Sequence, residues 1–204
     1  LLKGLRLIRM SHPTALDWCW ILAAAIFYGY VFGLEPAFRP LAGRPATNPL
    51  TLALSLLAAT TAILLTTQPP QSERPTPAVV AALHAGLWLA LARFAEASLG
   101  LSHLQDALNS LTLQPLHAAA ELPNETAWNT ALFFACFFVA LWAHSTRRPC
   151  AALAALAVAG ACAATSAAGY ALGLPALYNA MSPATLTLCG LLLAGVAGPI
   201  YRAT

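Results

Sequence analysis

The sequence is poor in charge. Asp, Glu, Lys and Arg make up 8% of its 204 residues and hydrophobic residues 59%, with a mean hydropathy of +0.70. Soluble domains carry about 25% charged residues, so a water-exposed globule is excluded and an integral membrane protein is implied. Aspartate is almost absent: Asp17 and Asp106 are the whole supply, too few and too far apart for a Mg²⁺-diphosphate site. The five cysteines form no CxxC or CxxCH, which excludes a zinc knuckle and a covalent c-type haem. There is no GxSxG, no HExxH, no clearly spaced Cys–His pair and no glycine-rich phosphate loop, so no enzyme chemistry is indicated. The basic residues are scattered without a stripe, and nucleic acid is not an expected partner.

What the sequence has is long apolar runs, at 15–34, 50–67, 78–100, 127–144, 150–172 and 184–201. Each is long enough to cross a hydrocarbon layer of about 30 Å at 1.5 Å per residue. The expected fold is all-α and polytopic, with six transmembrane helices. Residues 1–14, with Lys3, Arg6 and Arg9 among leucines, are predicted to lie amphipathically on the cytoplasmic face, and 15–204 form one membrane domain. With the N-terminus inside, seven Lys and Arg residues fall inside (Lys3, Arg6, Arg9, Arg74, Arg147, Arg148, Arg202) and two outside (Arg39, Arg44). The positive-inside rule then places both termini in the cytoplasm. Leu101, Leu104, Leu108 and Leu111 predict a short helix in the outer segment 101–126. Gly160, Ala164 and Ala168 predict close packing of the fifth span at the bundle centre.

The runs fall into three similar units. Outgoing helices end in Gly-Leu at Gly33, Gly100 and Gly173, at intervals of 67 and 73 residues. Returning helices open as Pro49-x-Thr51, Trp128-x-Thr130 and Pro183-x-Thr185. The sequence therefore predicts three repeated helical hairpins, over about 15–67, 78–144 and 150–201.

Three sets of residues are chemical candidates. Arg93 and Glu96 lie within the third span, three residues apart on one helix face, and are expected to pair. Their role is structural pairing or function. His84 and His144 are haem or chlorin ligand candidates near the cytoplasmic face; a lone intramembrane histidine more often bonds a backbone carbonyl. His103, Asp106, His117 and Glu121 form an outer-face metal candidate, weighed against ordinary solvated loop residues. No cofactor is the leading expectation.

The phrase GYALGLPALYNAMSPATLTLCGLLLAGVAGPIYR, 169–202, resembles the last hairpin of the multi-span input regions that precede histidine kinase, PAS or diguanylate cyclase modules in bacteria. Gly169, Tyr170, Gly173, Leu177 and Tyr178 match that group's exit pattern. Met181, Ser182, Pro183 and Thr185 match its re-entry, with Leu186 where alanine is usual. Glu96, Gly100 and Asp106 correspond to its outgoing middle helix, and the likeness spans roughly 48–202. The resemblance implies a non-catalytic sensory or interaction module in the lipid bilayer, with a protein partner or a homodimer, passing a signal through its last helix. Either these residues are the membrane piece of a longer protein or the fold serves alone. The alternative is a structural accessory subunit of a respiratory or photosynthetic complex, in contact with haem or chlorins.

Overall fold

The computed structural model describes residues 14–41, 44–67, 75–104, 107, 126–178 and 181–202. Helix starts follow from local chemistry. At α1 (Ala15–Val31), Thr14 and Asp17 form a reciprocal capping box, which satisfies two amides the first turn cannot. Proline opens α3 (Pro49–Thr67), α4 (Pro77–Leu99), α6 (Pro149–Leu172), the short α7 (Pro175–Tyr178) and α8 (Pro183–Arg202). Its missing amide is no loss at a first helical position, and its fixed φ suits one. The remaining elements are α2 (Glu35–Phe38) and α5 (Trp128–Ser145).

Helix ends are equally local. Gly33, Gly100 and Gly173 have φ of 68°, 67° and 65°, the left-handed region where a Cβ is strained. In each case the next residue's amide returns to a carbonyl five residues back: Leu34 to Gly29, Leu101 to Glu96 and Leu174 to Gly169, all at 2.8 Å. This stop ends the first helix at Val31 rather than at residue 34. Arg147, between α5 and α6, holds the same conformation at φ 57° without being glycine, and Arg148 donates to the Ala143 carbonyl at 2.8 Å.

Five described helices (α3, α4, α5, α6 and α8) are long and apolar enough to cross a membrane. α1 is apolar but 17 residues long, about 25 Å by helical rise. α5 is the central element. It packs on α4, α6, α3 and α8, while α1 packs on α3 and α8, and α8 on α6. Phe133, Phe134, Phe137 and Phe138 are fully buried on α5, with Phe133 edge-on to Phe134 at 5.3 Å and stacked with Phe137 at 5.9 Å. Gly86 lets α4 approach, because a Cβ there would overlap the Phe138 ring. The fifth predicted span, α6, is thus not the centre. About 22% of its most apolar window is buried, against 61% for α5. Its inward stripe is Ala152, Leu156, Ala159, Ala163 and Ser166, one face over from the predicted one. Ala164 and Ala168 are exposed, and among the described residues nothing lies within 4 Å of where a Gly160 Cβ would be. Bulky phenylalanines, with more area to bury, claim the interior over small residues.

Replacing Gly100 or Gly173 by Ala should cost about 1–2 kcal/mol each, the strain of a left-handed L-residue. Gly160→Ala, in open space on a helix, should be neutral or stabilising by up to about 1 kcal/mol. Unfolding titrations in mixed micelles check this; equal losses at all three sites would contradict it.

Candidate functional site: a buried polar layer at the heads of the returning helices

The returning helices α3, α5 and α8 begin at the same end of the bundle, and their heads are polar and buried. Thr47, Asn48, Thr51, Thr126, Asn129, Thr130, Ser182 and Thr185 are each at most 4% exposed. The predicted landmarks Thr51, Thr130 and Thr185 all lie in this layer, each at the third residue of its helix.

Hydroxyls and amides join the helices there. Thr47 Oγ1 lies 2.6 Å from Ser182 Oγ, and Ser182 Oγ lies 2.9 Å from Thr185 Oγ1. Ser182 Oγ also accepts from the Thr185 amide at 3.0 Å, capping α8. Thr126 Oγ1 donates to Asn48 Oδ1 at 3.1 Å and lies 3.2 Å from Thr51 Oγ1. Asn129 Nδ2 donates to Ser166 Oγ at 3.1 Å and to the Tyr178 carbonyl at 3.2 Å, tying α5 to α6 and α7. Such bonds contribute about 0.6 kcal/mol each between membrane helices, but an unmade one leaves a polar group stranded.

A second set of bonds connects each outgoing helix to this layer. The N-cap residues Asn48, Ala127 and Ser182 already use their carbonyls in the first helical turns. The carbonyl one residue earlier has no helical partner, and each receives a side chain from the outgoing helix. Tyr30 Oη donates to the Thr47 carbonyl, Arg93 Nε to that of Thr126 at 2.9 Å, and Tyr170 Oη to that of Met181 at 2.7 Å. Tyr30 stacks on Phe38 at 4.2 Å and Tyr170 on Tyr178 at 4.1 Å. Both rings thereby clamp the short helices α2 and α7.

Arg93 is 3% exposed, with its Nη1 3.5 Å from Glu96 Oε2 and 3.5 Å from the Leu101 carbonyl. Glu96 in turn accepts from the Leu104 amide. The pair therefore faces the protein and fastens the chain where it leaves α4. Arg44 donates to Tyr178 Oη and lies over the Tyr178 and Tyr170 rings, at 5.4 and 6.0 Å from their centroids. Arg39 is 9% exposed, and its Nε is 3.5 Å from Glu35 Oε1, an ion-pair distance without hydrogen-bond alignment. Both arginines counted as loop cations in the sequence are thus packed at this end.

The other candidates are dispersed. His84 is exposed on α4, with Nδ1 2.8 Å from the Val80 carbonyl, and lines a groove with Trp142. His144 is half-buried and does not line that groove. His103 is exposed, while Asp106, His117 and Glu121, with most of the predicted 101–126 helix, lie outside the described residues. Among the described residues no three His, Cys, Asp or Glu side chains cluster as a metal site. Comparison with protein-family models, curated proteins and solved structures finds no match.

Sequence reading alone passed over Thr47, Thr126 and Asn129 as binding groups. One signal for the tyrosine ties was present: Tyr30 and Tyr170 each stand three residues before an exit glycine.

Arg93→Leu should cost about 3 kcal/mol, since it strands both the Thr126 carbonyl and Glu96. Glu96→Leu should cost less. The Arg93→Leu, Glu96→Leu double change should fall near the arginine change alone rather than at the sum. A strictly additive cycle by equilibrium unfolding would mean that the two residues act independently.

Proposed function

We propose that the chain is a non-catalytic, membrane-embedded input or interaction module that passes a conformational signal through α8. In this reading α1 is a sixth crossing, both termini are cytoplasmic, and the membrane is the bacterial inner membrane. The Lys and Arg distribution supports that orientation. The three hairpins are repeats of one unit; the shared glycine stops and carbonyl ties support this.

The observation that carries the reading is the link from Thr47 through Ser182 to Thr185. It binds the head of the last helix to the head of the first returning helix, inside a layer whose hydroxyls can exchange donor and acceptor roles. The same helix ends at Tyr201 and Arg202, both exposed. A ligand that favoured one arrangement of the layer would bias the position of α8, provided its affinity differs between the two packings.

The runner-up is a structural accessory subunit of a larger respiratory or photosynthetic membrane complex, in which α6 packs on another chain. The outward Gly160, Ala164 and Ala168 stripe favours that, since small residues admit a close partner helix.

To test the leading reading, a dimerisation-dependent reporter is fused after Thr204 in helical register. Ser182→Ala and Thr47→Val should each change its output several-fold while the protein remains folded. Unchanged output in both folded variants would overturn the signalling role.

A further inference from the structure

The mechanism of the polar layer leaves His84 unused, on the same helix as Arg93 but nine residues earlier. Its Nδ1 sits 2.8 Å from the Val80 carbonyl oxygen. A carbonyl only accepts, so in the neutral ring Nδ1 carries the proton and Nε2 holds a free lone pair. Nε2 makes no hydrogen bond among the described residues, and the ring is exposed on α4, a helix long and apolar enough to cross a membrane. Acyl chains have no donors, so this acceptor is unsatisfied in hydrocarbon.

The ring lines a groove between α4 and α5 of about 290 Å³, with Leu83, Leu87, Trp88, Val139 and Trp142. Trp88 is 66% exposed and lies eleven residues from Pro77, the start of α4, about 16 Å along the helix. Interfacial tryptophans sit at span ends; this one stands deep in the span. Trp142 closes the shallow end, with the Arg148 guanidinium 5.6 Å from its ring centroid. The volume is at the lower limit of ligand pockets, about 300 Å³. It suits one ring and not a tetrapyrrole.

We propose that this groove binds a single-ring hydroxyaromatic lipid of the quinol class, its hydroxyl donating to His84 Nε2 and its ring lying against Trp88 and Trp142. The hydroxyl supplies the donor that the hydrocarbon lacks, the indoles supply aromatic faces, and an isoprenoid or alkyl tail runs along α4 in the bilayer. The oxidised quinone presents only acceptors, so the site selects the reduced form. The groove lies apart from the polar layer, and its occupancy stands or falls independently of a signal through α8.

The test uses the full chain in phospholipid nanodiscs with ¹⁵N-labelled histidine, titrated with decylubiquinol. The His84 Nε2 resonance, assigned by its loss in His84→Phe, should start as an unprotonated nitrogen and move upfield saturably. The dimethyl ether of the same quinol, which lacks the donors, should bind about fivefold to tenfold more weakly, the worth of one net hydrogen bond. His84→Phe should weaken quinol binding by a similar factor, and His84→Gln, which keeps an acceptor, should restore part of it. Equal binding of the dimethyl ether, an Nε2 line that does not move, or uptake that only follows the bilayer concentration would each overturn the proposal. Displacement by phospholipid headgroup hydroxyls alone, without ring selectivity, would also overturn it.

Discussion

The fold depends on what happens to one carbonyl group at the head of each returning helix. A helix that begins within a membrane protein satisfies its N-cap carbonyl through its own first turn. The carbonyl before it has neither a helical partner nor bulk water. In this protein three such carbonyls, those of Thr47, Thr126 and Met181, are met by Tyr30, Arg93 and Tyr170 from the preceding outgoing helices. Each bond is modest by itself. Together they fix where each outgoing helix ends relative to where the next returning one starts, and the left-handed glycines Gly33, Gly100 and Gly173 turn the chain into the right position for them.

The middle corner differs from the other two in a way that gives Arg93 its meaning. Where the first and third corners place a glycine and then a tyrosine, three residues before the exit glycine, the second has Glu96 and Ala97. No phenol is available there, and a cation one turn earlier reaches the carbonyl instead. Its charge requires a carboxylate nearby, which Glu96 provides at 3.5 Å while also holding the Leu104 amide. The buried ion pair thus makes at the second corner a carbonyl tie like those the tyrosines make at the other two, rather than standing as an isolated site.

Much of this was legible in the residues. Apolar run length gave the long helices to within a few residues, because length and hydropathy are imposed by the bilayer itself. The exit glycines and the paired Arg93 and Glu96 were legible because φ > 0 and buried charge restrict residue choice severely. The bundle's centre was not: Gly160, Ala164 and Ala168 met the small-residue criterion yet face outward, since burial is decided by which neighbour has the larger side chains to hide, here the phenylalanines of α5. The polar layer was hidden for a related reason. Single Thr, Ser and Asn residues at helix starts read as caps, and only the meeting of three helix heads turns them into cross-links.

The tie from Tyr170 to the Met181 carbonyl is the most accessible of the three, because the chain has two methionines, Met10 and Met181. Carbonyl-¹³C methionine incorporated into a Met10→Leu background reports on Met181 alone. Tyr170→Phe removes only the hydroxyl, so the Met181 carbonyl resonance should move upfield as it loses its donor, while Tyr28→Phe, on the exposed face of α1, leaves it in place. An unchanged Met181 line in folded Tyr170→Phe protein would contradict the carbonyl tie on which this account of the fold rests.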